Sequence, residues 1–277
     1  MAALQNSISF EAREVRIQVE EPPVSRPVDG ETLLLIPGLG GTMAFWQACW
    51  PKLAQRHRLI SFDHPGMGAS ADPRETPNVD RLAQLAIAIL DKFDTKHAVF
   101  VGHSMGGAIA QTAALDHPSR VRAAVLSSTW ARPDHYFQKA FAQRKTLLQH
   151  CGRDAYARAQ VLSVYPPEWI AANPKAADDQ EQRAAASFRD PDVLAQRIDA
   201  VLAFDRSADL GRLSCPALVV HCANDLVVPP HMSTFLAQQI DKADTLALSG
   251  GGHFAPVIRT EPFTEGVLAF IEQLDQP

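Results

Sequence analysis

The chain has 277 residues, of which 46% are hydrophobic and 21% charged, with a formal net charge of −5. This is a globular composition with room for one large domain, or a domain carrying a sizeable insertion. It has no basic excess of the kind nucleic-acid binding needs, and no apolar run near the roughly 18 residues of a membrane span. Residues 1–15 show no basic stretch followed by a continuous apolar core, so no signal peptide is expected. Cys49, Cys151, Cys215 and Cys222 form no CxxC pair and match no cysteine–histidine metal spacing. Free thiols in a reducing cytoplasm are the expectation.

Along the chain, Glu14–Val19 alternates like a strand. Thr32–Ile36 is a continuous apolar run closed by Pro37 and Gly38; Arg58–Phe62 is another, closed by residues 63–66. Val79–Phe93 reads as an amphipathic helix with Leu82, Leu85, Ala86 and Leu90 on one face. The apolar run 97–101 leads into GHSMGG at 102–107; a helix follows over Met105–Leu115, and Val121–Leu126 is the next strand. Most of these strands are apolar throughout, as in a parallel sheet buried on both faces. From about Trp130 to Leu210 no strand is evident. Helical stretches such as Tyr136–Gln149 and Pro191–Leu202 occur there instead, with scattered aromatics. Strands return at Ala217–His221 and Thr245–Leu248, and a last helix spans Phe263–Leu274. The middle is either a helical cap over the C-terminal edge of the sheet or a helical part of the core. Its place between two strand-rich halves favours the cap. The expected division is a core of 1–128 and 209–277 and a cap of 129–208.

Gly102 to Gly106 fits G-x-S-x-G, with a strand before it and a helix after it. In such a turn the serine backbone is strained, and bulk two positions to either side would clash. Ser104 would project its hydroxyl above the sheet edge. A serine needs a base, and the histidine base needs a carboxylate that fixes its tautomer. Three histidines lie after the presumptive cap. His221 falls within a strand and His231 follows two prolines. His253 follows a glycine-rich loop at a strand end and is the expected base. Asp225 is the one carboxylate in the loop after the preceding strand, while Asp205 and Asp209 precede that strand and read as loop or cap residues. Two backbone N–H groups should face the oxyanion: Met105, directly after the serine, and Leu39, in the glycine-rich loop 37–42. That loop lacks the Lys-Ser/Thr end of a phosphate loop.

The segments IPGLGG, FDHPGMGAS, GHSMGG, CANDLVVP and GGGHF together resemble the α/β-hydrolase superfamily over nearly the whole chain. The resemblance implies an α/β-hydrolase fold: a mostly parallel, eight-stranded sheet with helices on both faces and a helical cap insertion. It also implies no metal and no organic cofactor. Within the superfamily the chain is similar to the branch that includes 3-oxoadipate enol-lactonases and the aminoacrylate hydrolases of pyrimidine breakdown. The stretch from Arg144–Leu148 through Val164–Trp169 carries the second likeness. Two departures stand out: Pro37 where the oxyanion loop usually has histidine, and His64 where arginine is common. Serine at the elbow, rather than aspartate, favours acyl transfer to water over alkyl displacement.

The expected activity is serine hydrolysis of an ester, lactone or amide-like bond in a small metabolite, through an acyl-enzyme. An enamine or imine substrate would instead have water add to carbon. The alternatives are a general short-chain carboxylesterase or perhydrolase, or a small-molecule receptor that keeps the triad. Trp46 either faces the site or is a core tryptophan. Trp130, Tyr165 and Trp169 either line the pocket or pack the cap helices. Arg153 and Arg158 read as solvated, so an acidic substrate would need one arginine turned inward. A monomer or homodimer acting on a small molecule, with no nucleic-acid or membrane partner, completes the reading.

Overall fold

Five apolar runs become the centre of one sheet: β3 (Thr32–Ile36), β4 (Arg58–Phe62), β5 (Ala98–His103), β6 (Val121–Ser127) and β7 (Ala217–Cys222). Almost every residue in them is buried, because helices cover both faces. The computed structural model describes residues 4–22, 31–241 and 243–274. Three more strands, β1 (Leu4–Phe10), β2 (Arg13–Glu20) and β8 (Ala243–Leu248), complete an eight-stranded sheet of order β1-β2-β4-β3-β5-β6-β7-β8. From β4 to β8 neighbouring strands pair in parallel, whereas β1–β2 and β2–β4 are antiparallel.

The pleat sends alternate residues to opposite cores. Leu34 and Ile36 enter the larger core, with the helices α2 (Val79–Lys92) and α3 (Met105–Asp116). Leu33 and Leu35 enter the other, with α1 (Trp50–Leu53) and the late helix Thr260–Gln273. Helix α2 begins at Asn78, whose side chain accepts a hydrogen bond from the Arg81 amide at 2.9 Å. Helix α3 is buried almost all round, and its run of glycines and alanines lets it lie close under the strands.

Between β6 and β7 come four helices: α4 (His135–Val164), α5 (Pro167–Ala172), α6 (Pro174–Ala186) and α7 (Pro191–Ala203). Helix α4 breaks at Gly152, which has φ of 83° and is non-helical. Asp134 caps its start by accepting from the Phe137 amide at 2.8 Å. Three helices follow β7: α8 (Pro230–Gln238), α9 (Ala255–Ile258) and α10 (Thr260–Gln273). Among the described residues no helix is long and apolar enough to cross a membrane.

The strand at Leu4–Phe10 escapes the sequence pattern for a physical reason. It joins β2 through Glu11 and Ala12, both at positive φ (51° and 60°), without the Gly or Asn that normally marks such a hairpin. Cap removal at α2 has a defined cost. Asn78→Ala should lower the unfolding free energy by about 1 kcal/mol in urea titration and leave ester hydrolysis unchanged.

Candidate active site

Ser104 sits where β5 turns into α3, at φ 54° and ψ −119°, a conformation rare for a residue with a side chain. Surrounding contacts hold it there. Its amide donates to the Ser127 carbonyl on β6 at 2.8 Å. A Cβ on Gly102 would overlap the Gly106 carbonyl, and one on Gly106 would overlap the Ile36 carbonyl. Both positions therefore require glycine, as the sequence pattern implies. A third, Gly107, is pressed against the Thr129 side chain, a constraint the pattern does not reveal. Gly38 brings the loop after β3 against Ser104, so close that a Cβ there would lie 3.1 Å from the serine Cβ.

The loops after β7 and β8 bring Asp225 and His253 together. His253 Nδ1 lies 2.8 Å from Asp225 Oδ2, and both residues are buried, at 4% and 2% exposure. The other carboxylate oxygen accepts from the amides of Val227 (2.8 Å) and Val228 (2.9 Å). With both its oxygens engaged, the carboxylate holds the imidazole with Nδ1 protonated and Nε2 able to accept a proton. Asn224, which the sequence did not single out, ties the two loops by accepting from the Gly252 amide at 2.9 Å. His253 and Ser104 line one small cavity of about 40 Å³, together with Gly38, Leu39 and Phe45. Leu39 thus reaches the cavity from one side. Met105 opens α3, and its amide has no helical carbonyl to bind.

His103 stacks on Phe45, with ring centroids 4.5 Å apart, and lies 4.7 Å from the His253 ring. Burial first, and the neighbouring His253 second, hold its pKa well below the ordinary range. It stays neutral and does not compete with His253 for a proton.

The two departures from the superfamily pattern meet in space. His64 Nε2 donates to the Pro37 carbonyl at 2.9 Å, anchoring the loop that carries Leu39. Asp63 adds a second tether by accepting from the Met43 amide at 2.9 Å. Burial, with Arg197 nearby, pushes the His64 pKa down to about 3.

A second cavity, of about 420 Å³, adjoins the first and shares Leu39, Phe45, Gln160, Val164 and Phe254 with it. Tyr165 lines this larger space, as one of its sequence readings has it. Three other aromatics need correcting, since Trp46, Trp130 and Trp169 line neither cavity. Trp46 is fully buried in the second core beside Phe263, because the short turn Met43–Trp46 directs its neighbour Phe45 to the site instead. Trp130 is fully buried against Phe137 and Phe204. Trp169 stacks on the far side of Tyr165 at 4.4 Å and faces another cleft. Of the arginines weighed from sequence, Arg158 pairs with Glu181 and Arg153 donates to the Arg189 carbonyl. The arginines on the cavity walls are Arg144, in the smaller space, and Arg183, in the larger.

Sheet order and a strained strand–turn–helix at a serine define the α/β-hydrolase class of enzyme. Comparison with known proteins agrees. The family model described as alpha/beta hydrolase fold matches residues 31–259. The protein named "Putative carbamate hydrolase RutD" from Azorhizobium caulinodans is 34% identical over 247 residues, covering 89% of this chain and 93% of the relative. Its namesake from Caulobacter segnis is 37% identical over 249 residues, with coverage of 89% and 93%. The chain therefore belongs to the α/β-hydrolase family and is an α/β-fold hydrolase. Solved structures share the fold. The enol-lactonase from Burkholderia xenovorans LB400 has a TM-score of 0.88 at 22% identity, covering 96% of this chain and all 100% of its own. A thermophilic esterase from Thermogutta terrifontis has a TM-score of 0.84 at 20% identity, covering 99% of each chain.

The His64 anchor sets an acid limit. Its folded pKa of about 3 lies below its ordinary value of 6.5, so acid favours the unfolded chain, which binds the extra proton. This contribution is intact above pH 6.5 and is lost as pH falls toward 3. His64→Gln keeps an N–H for the Pro37 carbonyl but cannot titrate. Urea midpoints at pH 7 and pH 4.5, about two units below the usual histidine range, should fall less in the variant than in the wild type.

Proposed function

We propose that this enzyme is a serine hydrolase of a small metabolite, with Ser104 as nucleophile, His253 as base and Asp225 as the orienting acid. The observation that carries the reading is the buried His253–Asp225 pair opening onto the same cavity as Ser104. In this mechanism Ser104 Oγ attacks a substrate carbonyl while His253 Nε2 takes the hydroxyl proton. The Leu39 and Met105 amides receive the negative oxygen, each contributing about 3 kcal/mol to the transition state. His253 returns the proton to the leaving group. Water then attacks the acyl-enzyme and gives a proton to His253; the C–Oγ bond breaks, the acid leaves carrying the water oxygen, and His253 passes the proton to Ser104 Oγ.

The scissile bond belongs to an ester, lactone or carbamate-like C–N group. The carbamate option draws on the names of the 34% and 37% identical relatives. The 40 Å³ space around the serine favours a small acyl group, and the adjoining 420 Å³ space takes the remainder of the substrate. Residues 129–208 act as the cap that closes both, since α4, α6 and α7 supply Val164, Arg183 and Leu194 to the walls. A reducing cytoplasm is the proposed working compartment.

The test is hydrolysis of p-nitrophenyl acetate at matched thermal stability. Ser104→Ala and His253→Ala should each lower kcat by about 10⁴-fold or more, with little further loss when the two are combined. Equal turnover in wild type and Ser104→Ala would sink the nucleophile assignment.

A further inference from the structure

The two joined cavities have a one-sided charge. Arg144 and Arg183 line them, and no Asp or Glu among the described residues does. That is unexpected in a chain with 31 acidic and 26 basic residues.

Arg144 stands on the wall of the small cavity with Ser104 and His253. Its guanidinium carbon lies 4.9 Å from the Phe141 ring centre and 5.6 Å from that of Tyr156. Nη2 donates a long hydrogen bond of 3.3 Å to the Tyr156 hydroxyl, and Nε is buried with no hydrogen-bond partner. No carboxylate pairs with Arg144 among the described residues, whereas Arg158 and Arg206 have Glu181 and Asp116. On its outer side Arg144 borders an open cleft with Leu162 and Leu226, so the charge keeps contact with solvent when the site is empty. The aromatic rings fix the plane of a fork of donors whose one protein partner among the described residues is the distant Tyr156 hydroxyl. Such a fork matches a planar carboxylate.

Resting on the Ser104-centred reading above, we infer that Arg144 is the specificity-determining residue of this site and binds a carboxylate group carried by the substrate. The substrate class is then a small carboxylate with a separate hydrolysable bond. Arg144 holds the carboxylate while the reacting carbonyl meets Ser104. Arg183, exposed on the wall of the larger cavity and without an ion pair among the described residues, draws the anion inward.

Propionate and propionamide differ in charge but hardly in shape, and their binding needs no turnover. Their Kd values are measured by ligand-observed NMR on the Ser104→Ala protein, alone and combined with Arg144→Met or Arg144→Lys, at low ionic strength. Thermal melting checks that each variant is folded. Propionate should bind Ser104→Ala about ten-fold more tightly than propionamide, the size expected of a charge-assisted contact. Arg144→Met should bring the ratio to about one, and Arg144→Lys should keep part of it. A ratio near one without any change at Arg144, or a preserved ratio in a folded Arg144→Met protein, overturns the inference. Failure of the nucleophile reading shows separately, as Ser104-independent hydrolysis of p-nitrophenyl acetate.

Discussion

The site depends on one close approach of backbones. The turn at Ser104 must pass so near the end of β3 that Gly106 touches the Ile36 carbonyl. Only then does Gly38 lie against the serine, and only then do the loop bearing Leu39 and the start of α3 converge on one point. The serine conformation is strained by an amount of order 1–3 kcal/mol, offset by the bond from its amide to Ser127 and by complete burial of α3 below. The sheet order serves the same end. It sets β3, β5, β6, β7 and β8 side by side and in parallel, so that the loops after β3, β5, β7 and β8 open on one edge.

The sequence made the strand–turn–helix legible because each of its demands is local. Glycines two positions either side of a serine, an apolar run before it and a helix after it all fall within a short window. Asp225 and His253 were legible because each stands in a loop at a strand end, Asp225 as the one carboxylate there and His253 behind a run of glycines. What stayed hidden depends on orientation. Phe45 and Trp46 are neighbours in sequence, and which one faces the cavity is set by a turn of four residues whose side chains the pattern does not direct. Arg144 lies on a helix with a polar surface, where periodicity alone does not separate an arginine turned toward the sheet from its solvated neighbours. Asn224 shows no signal of its own, since a short polar residue beside an aspartate is the ordinary content of a loop.

The substitutions at positions 37 and 64 are better read as a pair than as two departures. A proline carbonyl at 37 is a bare acceptor at the end of β3, and a neutral imidazole at 64 supplies one N–H to it. Arg197, fully buried on α7, donates to the adjacent Pro65 carbonyl at 2.7 Å. A cationic side chain at 64 would stand beside that buried guanidinium, where two positive charges would repel each other with little water between them. A neutral residue at 64 is therefore the electrostatic counterpart of a cation at 197. The loop after β3, the loop after β4 and the helix α7 are held as one unit by these bonds.

The helices over the site are not uniformly coupled to it. The Val164 carbonyl, at the end of α4, accepts from the Phe254 amide at 3.1 Å, directly beside His253. Tyr165 packs edge-on against Phe254 with centroids 5.2 Å apart. A displacement of this end of α4 would therefore pull on the loop that carries His253. The break at Gly152 separates that end from the half of α4 that carries Arg144, and a Cβ at Gly152 would meet nothing within 4 Å. Arg144, before the break, donates to the Tyr156 hydroxyl after it, so the two halves stay tied across the kink. The Val164 end is held by the loop that carries His253. Helices α5 and α6 follow that fixed point in the chain, and α6 carries Arg183 to the outer wall, so the anchor beside His253 and the cation at the rim belong to one continuous run of helices.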